Sequence, residues 1–445
     1  MAALLITLAA INAPFFLLQK FFYVQQPIFN LDIGVSLALM SLNFNLGLAL
    51  LLAVCVIDII QAISLSYHFG DAVDFLATWY FAPLLNWDRF ITSSLVILIL
   101  LLGFATFGFG FILNKVRPRF AEVTATLVFF IFLDLANGSM NFRGLGGDNY
   151  IVHANIMGSP VWNAVNRKVL GFQSEAKPIQ SLSEARVYER LKGWLEQSGG
   201  GSALLLLVES FGRFEDPTIR KLLDDALLIP EISEYWNVEI LDEMFSGSTT
   251  YGELRTLCGV AGHYSRLTPL EGMSCIPSLA KAMGYETVGL HGFTSRMFDR
   301  DQWWPSVGLS RSMFSHDFPN ASICEGAFTG ICDADVIHKA IDLTQKKNQF
   351  IYALTLNTHL PLNDVKVPSA VKNICLQRNL ADRSCNMLSA LIHLLSATAQ
   401  DIASRPKRPL VIITGDHSPP FNWIDERSAF SSARVPVYVL TPKRF

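Results

Sequence analysis

The sequence predicts a bundle of four or five membrane-spanning helices followed by an α/β domain with a central, mostly parallel sheet. Three observations carry this. The first 140 residues hold only twelve charged side chains, while the other 305 have the balance of a globular domain. After about residue 200, short apolar runs alternate with stretches of helical spacing, the pattern of a sheet with helices on its faces. Polar residues suited to a metal follow several of those runs, most clearly in PLVIITGDHSPP, Pro409–Pro420. Ligands of open α/β sheets gather at the carboxyl ends of strands.

Composition sets the frame. The chain has 445 residues, is 51% hydrophobic and has a mean hydropathy of +0.34, too apolar for an ordinary soluble enzyme. A net charge of −3 and the lack of a long basic run argue against a nucleic-acid partner. The expected organisation is a transmembrane domain over 1–140, a linker with interfacial helices over 141–200 and a catalytic domain over 201–445.

Three N-terminal segments, Leu46–Leu65, Ile91–Leu113 and Phe120–Ala136, are long and apolar enough to span a bilayer. Ala3–Leu18 is a fourth. Leu31–Leu42 is a shorter fifth, interrupted by Asn43 and Asn45. Lys115, Arg117 and Arg119 lie in the tight loop between two spans, and the positive-inside rule places that loop in the cytoplasm. Everything after about residue 140 then lies outside it. So does the loop Ser66–Arg89, whose Trp79, Tyr80 and Trp87 suit an interfacial belt. The cysteines agree. Cys55 falls in a span, whereas Cys258, Cys275, Cys324, Cys332, Cys375 and Cys385 form three local pairs in the exported half. Proximity favours disulfides 258–275, 324–332 and 375–385, as in an oxidising compartment.

In the linker, Ser159–Phe172 and Ser183–Gln197 have helical spacing with one apolar face, suited to the membrane surface or to packing on the catalytic domain. Beyond Gly199–Gly201, strands are expected at Ala203–Val208, Val238–Leu241, Thr287–Leu290, Phe350–Leu356, Leu410–Ile413 and Val435–Leu440. Helices are expected around Pro217–Leu228, Pro230–Tyr235, Pro277–Met283, Ala334–Gln345 and Cys385–Ser404.

The polar residues fall at strand ends. Glu209 follows the first strand directly and His291 the third. His359 lies just past the fourth, and Asp416 and His417 follow the fifth. Carboxylate oxygen and imidazole nitrogen together suit zinc. Singly, Glu209 also reads as an acid at a helix N-terminus, His291 or His359 as a hydrogen-bonded loop histidine, and Gly-Asp-His as a turn. Four strand ends with matching chemistry favour a metal site. A nucleophile is available in FSGSTTYGELRTLCG, where Ser248, Thr249 and Thr250 precede a helix-like stretch, Gly252–Leu257. A hydroxyl at a helix N-terminus meets free N–H groups that favour an anion, although an ordinary helix cap has the same residues.

Taken together, LLLLVESFG, GSTTYGELRTLCG, GYETVGLHG, the FDRDQWW region, TLNTHLPL and TGDH resemble, in order, the motifs of the alkaline phosphatase/sulfatase superfamily. The closer likeness is to its membrane-anchored phospholipid-headgroup transferases of the lipoteichoic acid synthase, phosphoglycerol transferase and phosphoethanolamine transferase types. The resemblance implies a sulfatase-like domain in which Glu209, Thr249, Asp416 and His417 bind a divalent metal, zinc or manganese, with a second ion possible. It makes Thr249 the nucleophile of a phospho-threonine intermediate, and places His291, Arg300 and His359 on the phosphate or headgroup. It further implies a multi-pass protein of a bacterial inner membrane, a phospholipid donor and a glycan or lipid acceptor in the cell envelope. Two departures stand out. Cys275-Ile276-Pro277-Ser278-Leu279 is similar to the signature of sulfatases whose cysteine becomes formylglycine, but has Leu279 in place of arginine. The additional cysteines and zinc-binding histidines frequent in phosphoethanolamine transferases are not matched. A sulfatase or phosphodiesterase hydrolase, and a non-catalytic membrane sensor or scaffold, are the competing readings.

Overall fold

The seven strands of the main sheet are β1 (Ala203–Val208), β2 (Trp236–Met244), β3 (Glu286–His291), β4 (Arg311–Met313), β5 (Gln349–Leu354), β6 (Leu410–Gly415) and β7 (Arg434–Pro442). Their spatial order is β2-β7-β6-β1-β5-β3-β4. Every pairing from β6 through β4 is parallel, and β7 runs antiparallel to both β6 and β2. The expected mostly parallel sheet is thus present. The computed structural model describes residues 29–66, 79–84, 119–136, 157–158, 180–197, 199–264, 267, 274–362, 365–421 and 424–443.

The central strands are central because they are apolar on both faces. All six residues of β1, β5 and β6 are buried, as strands covered by helices on both sides require. Each fully buried Leu, Ile or Val contributes about 1.5–3 kcal/mol. The helices that bear on the site are α1 (Arg186–Gln197), α2 (Pro217–Leu227), α3 (Thr249–Cys258), α4 (Ile276–Ala282), α5 (Arg300–Ser306), α6 (Asp333–Thr344) and α7 (Asp382–Ser404). Of the two roles open to the Ser183–Gln197 stretch, packing on the catalytic domain is the one found: Val187, Leu191 and Leu195 of α1, spaced by four, join the core that contains Leu205, Leu207 and Leu354.

Several elements differ from expectation, each for a local reason. The strand expected to run to Leu356 stops at Leu354, because Leu356 N and Asn357 N bond instead to the Asp333 carboxylate. Helix α3 starts at Thr249, three residues early, and ends at Gly259, whose φ of +66° lets its N–H reach Arg255 O. Edge strand β4 has three residues, too few to show a period, and the helix Ser369–Gln377 was not foreseen. Ser159–Phe172 lies outside the described residues.

Three disulfides form, Cys258–Cys275, Cys324–Cys332 and Cys375–Cys385, the pairs that proximity favoured. The chain divides into two compact units. One contains Ala176–Pro420 and Asp425–Phe445 with the segment Phe81–Arg89, and the other most of the residues before Glu175 with Phe421–Ile424. In the latter, helices occur at Leu31–Leu42, Phe44–Ser66 and Phe120–Ala136. Asn43 separates the first two: its N–H closes the first helix on Leu39 O, and its side chain accepts from Leu46 N. Among the described residues no helix is long and apolar enough to cross a membrane, so at Leu31–Leu42, Leu46–Leu65 and Phe120–Ala136 the expected helices form but their spanning is not borne out. The spans expected at Ala3–Leu18 and Ile91–Leu113, the basic loop up to Pro118 and most of Ser66–Arg89 lie outside the described residues.

Candidate metal centre and nucleophile

Register brings the strand ends together. Val208 pairs with Gly415, so Glu209 and Asp416 leave neighbouring parallel strands side by side. Ser210, with φ of +55°, turns the chain sharply there and donates its N–H to Asp416 Oδ1 at 2.8 Å. Gly415 is needed for that approach, because a Cβ would fall 1.9 Å from Phe211 O. Glu209 is held through both of its backbone polar groups: its N–H bonds to Thr355 Oγ1 at 2.9 Å, and its carbonyl accepts from Thr358 Oγ1.

Helix α3 delivers the hydroxyl. Gly252 lies flat against Asp416, where a Cβ would come within 2.9 Å of its Cα. Thr249, first residue of the helix, puts Oγ1 3.2 Å from Glu209 Oε2 and 3.4 Å from His417 Nε2. Glu209, Thr249, Asp416 and His417 are all buried. The positive end of the helix faces the place where anionic oxygen would sit.

Glu209, Asp416 and His417 each offer a ligand atom, and these atoms lie within 4.8 Å of one another. Asp416 Oδ1 already accepts two N–H groups, from Ser210 and His417, whereas buried Oδ2 has no hydrogen-bond partner. His417 Nδ1 lies 2.9 Å from Ser418 O, a bond that requires its N–H and leaves Nε2 with a lone pair. That lone pair is 3.3 Å from Asp416 Oδ2 and 3.8 Å from Glu209 Oε1. Three electron-rich atoms converge, and burial together with the Glu209 charge pushes the Asp416 carboxyl up to about 7. An orphaned buried oxygen and a mixed oxygen and nitrogen donor set fit a divalent metal such as zinc.

The other anticipated residues divide. His359 is half-buried against Phe328, with ring centroids 4.7 Å apart. Burial holds its imidazole down at about 4, and the His417 ring adds to the effect. His291 ends β3, one strand beyond β5, with Nδ1 3.1 Å from Leu354 O. Arg300 is buried and ion-paired to Glu253, with Nη2 3.0 Å from Oε2, and also reaches Met297 O. The structure therefore joins Glu209, Thr249, Asp416 and His417 in one cluster, and commits Arg300 to a protein carboxylate.

Sequence reasoning missed two buried networks. Glu253, one turn after Thr249, accepts from Arg300, from Trp304 Nε1 at 3.0 Å and from Tyr352 OH at 3.1 Å. Arg255, two residues on, pairs with Glu243 at 2.9 Å and donates to Gly415 O at 2.7 Å and Asp416 O at 3.0 Å. These hold α3 to the sheet and to the turn after β6. Their one sequence signal was the pair of charges in GELR inside an otherwise uncharged helix.

Known proteins resemble this chain. The family model described as Sulfatase matches residues 203–436, from the first residue of β1 into β7. No curated protein matches. Among solved structures, the integral membrane protein lipooligosaccharide phosphoethanolamine transferase A of Neisseria meningitidis is similar with 13% identity and a TM-score of 0.48, over 91% of this chain and 78% of that one. The phosphoglycerol transferase GacH of Streptococcus pyogenes is similar with 17% identity and a TM-score of 0.38, over 60% and 78%. The lipoteichoic acid synthase LtaP of Listeria monocytogenes is similar with 13% identity and a TM-score of 0.37, over 60% and 70%. The family match covers more than half of the sequence and takes in the central strands, the strand-end carboxylates and helix α3 alike, and on that ground the chain belongs to the Sulfatase family.

Proposed function

We propose that this protein is a metal-dependent transferase that moves a phosphoglycerol or phosphoethanolamine headgroup from a membrane phospholipid, through Thr249, to a glycan or lipid hydroxyl of the bacterial cell envelope. The observation that carries this is the Thr249 hydroxyl at the head of α3, 3.2 Å from Glu209 and 3.4 Å from His417 within a buried donor cluster. Family membership gives the fold, and the nucleophile decides the chemistry. Cys275, the residue similar to a formylglycine precursor, is bonded to Cys258. A threonine is the hydroxyl held at the cluster, which favours phosphoryl transfer over sulfate-ester hydrolysis.

Glu209, Asp416, His417 and Thr249 would hold the ion, zinc or manganese, which when bound supplies positive charge to the phosphoryl oxygens. The rest falls to the chain. Glu209 Oε2 accepts the Thr249 hydroxyl hydrogen and orients Oγ1. Oγ1 forms a bond to phosphorus, and the phosphorus–oxygen bond to diacylglycerol breaks, its oxygen taking up a proton. In the second half an acceptor hydroxyl forms the new phosphorus–oxygen bond, the phospho-threonine bond breaks, and Thr249 regains its proton. Apolar N-terminal segments that anchor the chain in the inner membrane would hold the site near its donor and raise the local concentration. The basic loop at Lys115–Arg119 and the three disulfides support an extracytoplasmic catalytic domain.

The test is incubation of the full chain in membranes with phosphatidylglycerol and phosphatidylethanolamine labelled in the headgroup. Mass spectrometry should find the label on Thr249, and Thr249→Ala should lower diacylglycerol release by at least about 10³-fold while the melting temperature stays near the parent's. Unimpaired release by that variant would remove Thr249 from the mechanism.

A further inference from the structure

Beside the metal-ligand turn lies a cavity of about 350 Å³ that the proposed chemistry does not use. Four arginines line it, Arg186, Arg213, Arg220 and Arg434, against two carboxylates, Asp224 and Asp242. In a chain of net charge −3 this is a local excess of positive charge. Two of the guanidiniums belong to the wall: Arg213 Nε is 2.6 Å from Asp242, and Arg220 donates to Phe214 O and Glu215 O at 2.8 and 2.7 Å. Asp224 accepts from Tyr438 OH at 2.9 Å. The wall is thus stiff and its acids have partners. Arg186 and Arg434 have no ion pair or side-chain hydrogen bond among the described residues. Guanidinium groups are suited to fork-like recognition of phosphate, and the volume matches a small-molecule site.

The cavity is close to the chemistry. Gly212, part of its lining, is three residues after Glu209, a reach of at most about 11 Å. It packs on Ser418 and Pro419, immediately past His417. The geometry points to a subsite for a phosphate group on the incoming acceptor, held by Arg186 and Arg434 so that a hydroxyl of the same molecule lies within reach of Thr249. This assignment rests on the transferase reading, and it makes the acceptor itself a phosphorylated sugar or phosphorylated lipid.

Binding can be read without turnover, so its failure is distinct from failure of that reading. The full-length protein with its metal is titrated with glucose 6-phosphate by calorimetry, and with glucose as the neutral control. Two classes of site are expected, one at the metal and one at the cavity. Arg186→Gln with Arg434→Gln should weaken the second class at least tenfold and leave the first. Rising salt should weaken it too, and glucose should not bind. Equal binding by parent and variant overturns the proposal, and so does loss of both classes in a variant whose circular dichroism matches the parent's. A short-chain phosphatidylglycerol that displaces glucose 6-phosphate from the cavity more strongly than a short-chain phosphatidic acid assigns the cavity to the donor, and likewise overturns it.

Discussion

His291 is a buried imidazole that the fold keeps neutral. Burial, aided by the nearby Arg300 charge, lowers it from 6.5 to about 3. The unfolded chain takes up a proton near pH 6.5 while the folded chain does not until about pH 3. The stability that depends on neutral His291 is therefore complete above pH 6.5 and lost as pH falls through that window. Between pH 6.5 and 5 the loss amounts to about 2 kcal/mol. Asp333 acts in the opposite sense: burial raises its carboxyl to about 7, so its contribution improves on acidification. A comparison of parent with His291→Gln cancels that common background. Denaturant unfolding at pH 7 and pH 5 should show the parent losing about 2 kcal/mol more than the variant. Equal losses would mean that the imidazole is protonated in the folded chain.

At the scale of elements, the decisive object is the seam between α3 and the turn after β6. Arg255 and Glu243 have side chains 3% and 0% exposed, and Arg255 also holds the carbonyls of Gly415 and Asp416. Removing one partner of such a buried pair costs about 3–5 kcal/mol, because the other charge is left uncompensated. Arg255→Met should therefore destabilise the chain by that amount in chemical denaturation. Adding Glu243→Leu should restore most of it, less about 1–3 kcal/mol because Val187 N–H loses its acceptor. Metal affinity should behave differently. The carbonyls flanking Asp416 remain unheld in both variants, so zinc binding should be about tenfold or more weaker in each. Recovery of zinc binding in the double variant would reduce Arg255 to a purely structural pair. This seam also marks where sequence reading stops. Glu209, Asp416 and His417 were legible because each directly follows an apolar run that must be a strand, and strand ends meet by rule. Arg255 was not, since its partners Glu243 and Gly415 come from different strands, and the charge pair in GELR does not say which strands it would meet. Arg300 shows the converse: the resemblance implied a contact to phosphate, and nothing in the local sequence announced its buried ion pair with Glu253.

Across the whole molecule, the centre ties together segments that are remote in the chain. Glu209 and His417 bracket five of the seven strands, β2 to β6, and Thr249 enters from a helix between them. The three disulfides close short local loops of 8–17 residues and leave the long connections unconstrained. A cation bound by the cluster would thus be the long-range link. The unfolded chain does not preassemble these ligands, so binding free energy becomes folding free energy. At free metal a hundredfold above its dissociation constant, the folded state gains about 2.7 kcal/mol. Unfolding of the full-length protein with and without a chelator should show that gain as an upward shift of the denaturant midpoint by zinc. Glu209→Gln removes one anionic ligand and should abolish the shift, while Cys324→Ser with Cys332→Ser should lower stability in both conditions and leave the shift intact. A zinc-dependent shift of unchanged size in Glu209→Gln would place the metal elsewhere, and the buried Asp416 Oδ2 would need another partner.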